Sequence, residues 1–590
     1  MIGSAVPRRV RETLDVGREL DTQMRERHGP NIGVQAFLTR TDLLSLVLLS
    51  GLWISMSALV NPIGDFPLND DWVYAYGVRS IVQGGRFELP GTGAPDVIAQ
   101  AYWGALFCMP FGFSFTALRF STLTLGWAGL IAFYLLIQEV AGNRWLALLG
   151  GLALATNPIY FGLAHTFMTE VPFVSLVIIA LWLFVRGLKR NASVPLLAGI
   201  VITLIAILVR QFALLLLLAF GVAYLVKNGV KWKTLAVAII PLAFGAGVHV
   251  AYQHWMIVTG RKPYFELATL SDLIPIPFVT FILYSLRIPA SLPYLGFFLA
   301  PFLASVLFVA GPPPRHRRIV ICALMSLAGL LLAGIYVTYG PIPEIGHILT
   351  PSGLGPRSLR DTFVLRKNFP PISAIMAIFW ICSIAIGSFG AAALIMYFVR
   401  GVARVVTGLH KDMVWLESLT LVFVCAYAIS LLLMGFGLKT PLFDRYLLVF
   451  VPPLFILILM IEVRAGCISE PRWRGALSLG LIFIYAGVSV AATHDYLAWN
   501  RMRWMATRML MESGISPTQI DGGYEFNGWY LSDPNYKRKA DKSWWWVNDD
   551  EYVIASGPLS GYQELQRFVF QRWLLFGNAS VVILHRVGAI

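Results

Sequence analysis

Charged residues are scarce in this chain of 590 amino acids. Asp, Glu, Lys and Arg make up 13% of it, whereas 57% of its residues are hydrophobic. A water-soluble domain usually carries about 25% charged residues, so this composition predicts a polytopic membrane protein. The net charge of +14 does not indicate a nucleic-acid partner, because the basic residues fall mainly in short loops between apolar segments.

Three other features are absent. The five cysteines are scattered without a CxxC spacing, which argues against a disulfide framework and against a zinc site. No glycine-rich loop of the nucleotide-binding kind follows a predicted strand. No internal repeat is visible and the conspicuous acids fall in loops, so a secondary transporter, which usually has repeated halves and polar residues at mid-membrane depth, is the weakest alternative.

Apolar segments of membrane-spanning length dominate what is present, and we count about thirteen. They lie near residues 42–60, 115–138, 145–163, 172–186, 194–209, 211–226, 234–252, 290–310, 319–339, 372–399, 416–437, 446–463 and 475–492. The stretch 194–226 reads equally well as one long helix with Arg210 near its centre. Its basic flanks favour two short spans.

The distribution of Arg and Lys predicts the orientation. They crowd the first 41 residues and every second loop, so the N-terminus is expected to be cytoplasmic. The first span is too long, and too far from the start, for a cleaved signal peptide. We therefore predict a plasma (inner) membrane protein with a cytoplasmic segment 1–41, a transmembrane domain 42–492 with a long first extracytoplasmic loop 62–114, and an extracytoplasmic domain 493–590.

The C-terminal region differs from the rest in its higher charge density. Short strands are predicted at Gln519–Asp521, Tyr552–Ala555 and Ser580–Leu584, with an amphipathic helix over Asp495–Glu512 and another helix near Gly561–Leu575. This pattern indicates a small α/β domain outside the membrane.

A run of tryptophans, Trp544, Trp545 and Trp546, lies in this domain. It suits a platform for stacking against sugars, an aromatic belt at the membrane interface, or local packing. The sequence leaves these interpretations open.

Acidic residues stand at two places on the predicted extracytoplasmic side. Asp70 and Asp71 follow the first span, and Glu170 precedes Val171 and Pro172. Ionisable groups beside a bilayer are costly unless they are solvated or functional, which points to a reaction site. The structural alternatives are that one of the two Asp residues caps a loop helix, and that Glu170 merely starts a helix with Pro172 in its first turn.

Several short motifs together resemble the GT-C glycosyltransferases that use polyprenyl-phosphate sugars, such as the protein O-mannosyltransferases and aminoarabinose transferases. In chain order they are Asp70-Asp71-Trp72-Val73-Tyr74-Ala75, Ala117-Leu118-Arg119-Phe120-Ser121, Asn157-Pro158, Thr169-Glu170-Val171-Pro172, Arg210-Gln211 and Phe443-Asp444-Arg445-Tyr446-Leu447-Leu448. The resemblance spans roughly 45–460. It implies an all-α polytopic membrane fold and an inverting transferase that moves a sugar from a polyprenyl phosphate to an extracytoplasmic lipid, glycan or protein. A membrane polysaccharide polymerase or ligase is the chemically closest alternative.

Such a transfer needs a base for the acceptor proton and cations for the developing phosphate charge. By the resemblance, Asp70 is the base, while Asp71 and Glu170 orient the acceptor or a bound cation. Arg210 and Arg445 are the candidates for binding the donor phosphate, because guanidinium matches phosphate geometry bidentately.

His165 and Gln211 are weaker candidates near the donor phosphate. A histidine in a loop is often satisfied by the backbone, and Arg445 could instead be an interfacial residue paired with Asp444. The sequence requires no cofactor, although three carboxylates could bind a divalent cation. The identities of the sugar and of the acceptor stay open.

Overall fold

The computed structural model describes residues 39–90, 96–261, 291–304, 346–350, 352–367, 373–407, 414–438, 442–464, 472–543, 545–574 and 576–587, with single positions near 327 and at 369. The chain divides into two units, residues 1–47 and 48–590. In the first unit the hydroxyl of Thr39 donates to Asp42 Oδ2 at 2.6 Å, which fixes the start of the first helix.

Helices account for most of the described residues, and we number them in chain order. They are α1 Arg40–Val60, α2 Asp71–Gly84, α3 Ile98–Cys108, α4 Phe115–Ala141, α5 Arg144–Ala155, α6 Pro158–Ala164, α7 Glu170–Arg190, α8 Ser193–Ile207, α9 Leu214–Asn228, α10 Trp232–Val258, α11 Ser291–Ala304, α12 Ala374–Thr407, α13 Val414–Leu438, α14 Val451–Arg464, α15 Arg472–Glu512 and α16 Tyr524–Leu531. Shorter 3-10 turns cover Gln211–Ala213, Asp444–Phe450 and Pro517–Gln519, and a π turn covers Arg360–Val364.

Within the described ranges, nine helical segments are long and apolar enough to cross a membrane, or up to ten if the bent pair α5 and α6 is one span. Two further apolar helices, α8 and α11, are shorter. The prediction of a polytopic helical membrane protein is confirmed. The predicted count of thirteen is not confirmed, and the predicted span 319–339 lies almost wholly outside the described residues.

Two breaks in the helices shape the region around the predicted site. The predicted single span 145–163 is two helices, α5 and α6, bent by 61°. The side chain of Asn157 accepts the backbone N–H groups of Ile159 and Tyr160, and Pro158 fills the first turn, so a new helix starts there. The predicted break at Arg210 is confirmed, because α8 ends at Ile207 and Arg210 has extended backbone before the next 3-10 turn.

The predicted first loop, residues 62–114, contains the two helices α2 and α3. Asp70 occupies the N-cap position of α2, but its side chain makes no capping hydrogen bond. The carboxylate of Asp70 is therefore available for other partners.

Helix α15 links the apolar helices to the C-terminal sheet. The predicted span 475–492 and the predicted helix Asp495–Glu512 form this one helix of 41 residues. At 1.5 Å per residue it is about 60 Å long, roughly twice the thickness of a hydrocarbon core. The predicted boundary between residues 492 and 493 thus falls inside a continuous helix, and the division into domains stays a prediction.

The C-terminal sheet has four strands, numbered after a small hairpin of β1 Leu349–Thr350 and β2 Gly353–Leu354. Its strands are β3 Ile520–Asp521, β4 Tyr552–Ala555, β5 Tyr562–Arg572 and β6 Gly577–Arg586, in the order β3-β4-β6-β5. The pair β3 and β4 is parallel, and the other two pairs are antiparallel. The three predicted strands are confirmed.

The helix predicted near Gly561–Leu575 is wrong, because that segment is strand β5. It pairs with β6 from Tyr562 opposite Arg586 to Arg572 opposite Gly577. Gln, Glu, Leu and Arg favour helices in isolation, but a long ladder of pairing with β6, interrupted by one register shift between Glu564 and Gln566, overrides this weak local preference.

One carboxylate of α15 binds the turn between β5 and β6, in addition to the packing of the sheet against this helix. The Asp495 oxygens accept the backbone N–H groups of Trp573 at 2.7 Å and Leu574 at 3.1 Å. The Trp573 ring also stacks on His494, with ring centroids 3.7 Å apart. The turn between β5 and β6 is thereby fixed to the helix.

Candidate active site

Four of the predicted residues, Asp70, Glu170, Arg210 and Arg445, form one cluster. Arg445 donates from Nη1 to Asp70 Oδ2 at 3.1 Å, and its Nε lies 3.3 Å from Glu170 Oε1. Arg210 donates from Nη2 to the same Glu170 oxygen at 2.6 Å. The cluster therefore contains two acids and two arginines from four separate parts of the chain, and acidic and basic side chains alternate along its contacts. The alternative that Arg445 pairs with Asp444 is wrong for its side chain.

The two arginines are held side by side. Arg210 also donates from Nε to Thr169 Oγ1 at 2.7 Å. The guanidinium carbons of Arg210 and Arg445 lie 5.5 and 5.3 Å from the ring centroid of Tyr446. One aromatic ring and one carboxylate oxygen therefore orient both planar cations.

Exposure differs among the four side chains and separates their roles. The Asp70 side chain is 23% exposed, while that of Glu170 is 1% exposed. Arg210 and Arg445 lie between, at 15% and 7%. Asp70 is therefore the more solvent-accessible acid of this cluster, and Glu170 is a buried counter-ion for the two arginines.

Asp71 has a different environment from Asp70. It is buried, and its two oxygens accept the backbone N–H groups of Phe167 at 2.8 Å and Leu68 at 3.2 Å. Burial raises the pKa of Asp71 to about 8. These contacts join the loop before α2 to the turn that leads to Glu170, so Asp71 supports the site from outside the cluster.

Arg119, within one of the resembling motifs, is a support that we did not predict. It is buried, and it donates to the carbonyl oxygens of His165 at 2.7 Å, Gly64 at 3.1 Å and Phe66 at 3.1 Å. One side chain thereby ties the segment before Asp70 to the segment before Glu170.

His165 and Gln211 are less central than the four clustered residues. His165 is fully buried, and its Nδ1 pairs with the carbonyl of Phe161 at 2.8 Å. The residue links to the cluster only indirectly, through its own carbonyl on Arg119. Gln211 is half-buried and begins the 3-10 turn directly after Arg210.

His347 lies beside the cluster and was not predicted. The adjacent N–H groups of Ile348 and Leu349 are bound by the carboxylate of Asp444, at 3.1 and 2.7 Å, which brings β1 next to Arg445. Burial and the Arg445 cation lower the pKa of His347 to about 3. Its Nδ1 is buried without a hydrogen-bond partner among the described residues. A neutral imidazole thus lies near Arg445.

A second residue missed by the sequence analysis comes from the C-terminal region. The hydroxyl of Tyr524 donates to Asp70 Oδ1 at 2.9 Å. The two residues are 454 positions apart in the chain, and no sequence motif contains both of them. Only the folded chain shows that the C-terminal region reaches the site.

Trp545 and Trp546 pack around Tyr524, while Trp544 lies outside the described residues. Trp546 contacts Trp72, with ring centroids 5.5 Å apart, and Trp545 contacts Phe363 at 4.7 Å. Of the three interpretations of this run, local packing is the one that these contacts match.

The three carboxylates predicted as possible cation ligands do not converge. Asp70 and Glu170 face arginines, and Asp71 faces backbone N–H groups. In the described part of the chain, no group of three or more His, Cys, Asp and Glu side chains is arranged to hold a metal ion.

Comparisons with known proteins give low overall similarity to solved structures. The S. cerevisiae protein O-mannosyltransferase Pmt1–Pmt2 complex bound to its sugar donor is 16% identical over 38% of this chain, with a TM-score of 0.32, and the match spans about a third (34%) of that chain. ArnT from Cupriavidus metallidurans bound to undecaprenyl phosphate is 14% identical over 92% of this chain and 98% of that one, with a TM-score of 0.37. The arabinosyltransferase EmbB from Mycobacterium smegmatis is 13% identical over 80% of this chain and 42% of that one, with a TM-score of 0.34.

No curated protein sequence matches the chain significantly. Residues 97–256 match the family described as dolichyl-phosphate-mannose-protein mannosyltransferase. The matched segment contains Glu170 and Arg210, and it contains neither Asp70 nor Arg445. Over these residues, the match confirms the predicted resemblance to glycosyltransferases that use polyprenyl-phosphate sugars.

Proposed function

We propose that this protein transfers a single sugar from a polyprenyl phosphate to a hydroxyl or amine acceptor at the outer face of the membrane. The observation that carries the proposal is the pairing of Asp70, the partly exposed acid of the cluster, with Arg445. Arg445 and Arg210 in turn contact the same Glu170 oxygen. The reaction needs a base for the acceptor proton and cations for the phosphate charge, and Asp70 beside two adjacent guanidinium groups would supply both.

In the proposed reaction, the acceptor oxygen or nitrogen forms a bond to the anomeric carbon from the face opposite the phosphate. The bond from that carbon to the phosphate oxygen breaks, and its electron pair leaves with the polyprenyl phosphate. The acceptor proton moves to Asp70. Each Asp70 oxygen accepts one hydrogen bond, from Arg445 or from Tyr524, and a carboxylate oxygen has a second lone pair for that proton.

Arg210 and Arg445 are proposed to bind the donor phosphate and to stabilise the negative charge that it gains. Glu170 keeps their guanidinium groups together, since both contact its Oε1. His347, next to Arg445, adds a neutral ring that a phosphate oxygen or sugar hydroxyl can approach without like-charge repulsion. In this proposal Asp71 and His165 act by holding the loops.

The test is transfer by the purified protein from a polyprenyl-phosphate sugar, followed by mass spectrometry of the product. Undecaprenyl or dolichyl phosphate should compete with the donor, because Arg210 and Arg445 would bind the phosphate of either lipid. Transfer of a whole lipid-linked glycan instead of one sugar would favour the polymerase or ligase alternative. If neither lipid phosphate binds, the proposed donor class is wrong.

The orientation belongs to the same proposal, because the reaction is assigned to the extracytoplasmic side. Ala540 and Lys233 are exposed and lie in the C-terminal region and in a basic loop, respectively. In intact cells an impermeant thiol reagent should label the Ala540→Cys protein above the wild-type level and the Lys233→Cys protein only at the wild-type level. The reverse pattern would invert the predicted topology.

A further inference from the structure

The C-terminal region contributes a hydrogen bond to the proposed base. Asp70 Oδ2 accepts a hydrogen bond from Arg445 at 3.1 Å, and Asp70 Oδ1 accepts one from the Tyr524 hydroxyl at 2.9 Å. The arginine comes from the 3-10 turn before α14, and the tyrosine is the first residue of α16. The carboxylate is thus held from both sides, and its rotation about the side chain is restricted.

The Tyr524 ring has a fixed position. It contacts Trp72 edge-on, with ring centroids 5.9 Å apart, and it stacks on Trp546 at 6.3 Å. Helix α16 approaches Trp72 so closely that a Cβ on Gly528 would come within 2.4 Å of the indole. Burial and the Asp70 carboxylate raise the pKa of Tyr524 well above its ordinary value, so the hydroxyl remains a proton donor.

Glu525, which follows Tyr524, binds Asn69, which precedes Asp70. Glu525 Oε1 accepts the backbone N–H of Asn69 at 3.0 Å, and Glu525 Oε2 accepts Arg503 Nη1 at 2.8 Å. Asn69 has a φ of +53°, a left-handed conformation that asparagine adopts more readily than most residues, and the hydrogen bond from its N–H to Glu525 stabilises it. Consecutive residues of α16 therefore fix both the backbone and the carboxylate at the start of α2.

We infer that Tyr524 is a positioning residue for the proposed base, so that the C-terminal region completes the active site. The inference rests on the proposed function and extends it. Tyr524 keeps its own proton throughout, while its hydrogen bond to Oδ1 aims the free lone pairs of Asp70 at the acceptor. Without this bond the base would still be present, but it would spend less time in the reactive orientation.

The test replaces Tyr524 by Phe, which removes the hydroxyl and keeps the ring among its aromatic neighbours. A hydrogen bond to a charged group is strong enough that its loss should lower kcat about tenfold or more. The KM for the donor should change less than twofold, because Arg210 and Arg445 are untouched. Tyr530→Phe is the matched control, since Tyr530 lies in the same helix and is 45% exposed.

Thermal unfolding in detergent separates positioning from folding. The Tyr524→Phe and Tyr530→Phe proteins should have similar unfolding temperatures. A kcat equal to that of the wild type, or a loss of activity explained by a lower unfolding temperature, would overturn the role of Tyr524 and leave the proposed function standing. A wild-type protein that transfers no sugar would refute the proposed function and this inference with it.

Discussion

Two acid–arginine clusters lie on either side of the Asn69–Asp70 turn, and they differ in their access to solvent. Arg503 and Glu525 form an ion pair at 2.8 Å in which both side chains are 0% exposed. In the other cluster, Asp70 is 23% exposed and is paired with Arg445 at 3.1 Å. The two clusters use the same residue types in two environments.

The difference in solvent exposure decides whether the charged groups of each cluster can contact anything outside the protein. The partners of Glu525 are the Asn69 N–H, the Ser358 hydroxyl and Arg503, so every strong contact is made within the chain. A fully buried ion pair is costly to break, because the remaining charge stays unpaired in a low-dielectric interior. This cluster stabilises the fold. The cluster of Asp70, Glu170, Arg210 and Arg445, called the open cluster below, leaves part of Asp70 exposed, as the proposed transfer requires.

The largest expected effect is at Asp70. Asp70→Asn keeps the size of the side chain and removes the proposed base, so kcat should fall by roughly 10²- to 10⁴-fold. The unfolding temperature should stay close to that of the wild type. Transfer from a polyprenyl-phosphate sugar, with thermal unfolding measured in parallel, checks both statements.

Asp71→Asn is the matched control because it makes the same chemical change one residue away. An Asn amide would turn its NH2 group towards the backbone N–H of Phe167 or Leu68. One hydrogen bond would be lost, at a cost of about 1–3 kcal/mol in the free energy of unfolding. Equal loss of kcat in the folded proteins of both variants would contradict the separation of base and support.

Breaking the buried pair should affect folding more than chemistry. Glu525→Gln leaves Arg503 as an uncompensated buried cation, which should cost about 3–5 kcal/mol of stability. Glu551→Gln is the control, since Glu551 is 39% exposed and surface pairs contribute about 1 kcal/mol or less. Thermal unfolding of the two proteins measures the difference, and an equally stable Glu525→Gln protein would refute the holding role.

Conservative changes of the arginines probe the open cluster more finely. Arg445→Lys and Arg210→Lys keep the charge and lose the bidentate fork, so donor affinity should weaken by about 1–3 kcal/mol. Arg567→Lys, at a surface pair with Glu564, should have no effect. Competition with undecaprenyl or dolichyl phosphate measures the affinity. Unchanged binding in both cluster variants would remove the arginines from the donor site.

The sequence predicted the acids and arginines of the open cluster, and the reason is physical. Asp70, Glu170, Arg210 and Arg445 are charged residues next to apolar spans, where charge is rare enough to be conspicuous. Their order and predicted sidedness then indicated that they meet. Asp71 was predicted to orient the acceptor or a bound cation, because nothing in the sequence shows which of two adjacent carboxylates faces backbone N–H groups.

The remainder of the site depends on distant contacts that local pattern does not encode. Tyr524 and His347 carry no charge at neutral pH and stand in segments without periodic signals. Strand β5 was predicted as a helix for a related reason, since its partner β6 decides its conformation. These features depend on packing between segments that are far apart in the sequence. Residue propensity and motif spacing, in contrast, carry information only about local structure.

The smallest expected effect concerns His347, an uncharged residue beside the open cluster. The pKa of His347 is lowered from 6.5 to about 3 by burial and by Arg445. The unfolded chain therefore binds a proton at a pH where the folded protein does not. The stability associated with neutral His347 is fully present above about pH 6.5 and is lost as the pH falls from there towards 3.

His347→Gln removes this titration and keeps a polar side chain. Relative to the variant, the wild type should lose about 1 kcal/mol of unfolding free energy between pH 7 and pH 5.5, as the linkage between pKa and stability requires. His585→Gln, at a side chain that is 37% exposed, is the matched control for the substitution itself. Thermal unfolding at the two pH values measures the change. A wild type and a His347→Gln variant with parallel pH dependence would show that this imidazole is not held neutral beside Arg445, and would place it outside the site.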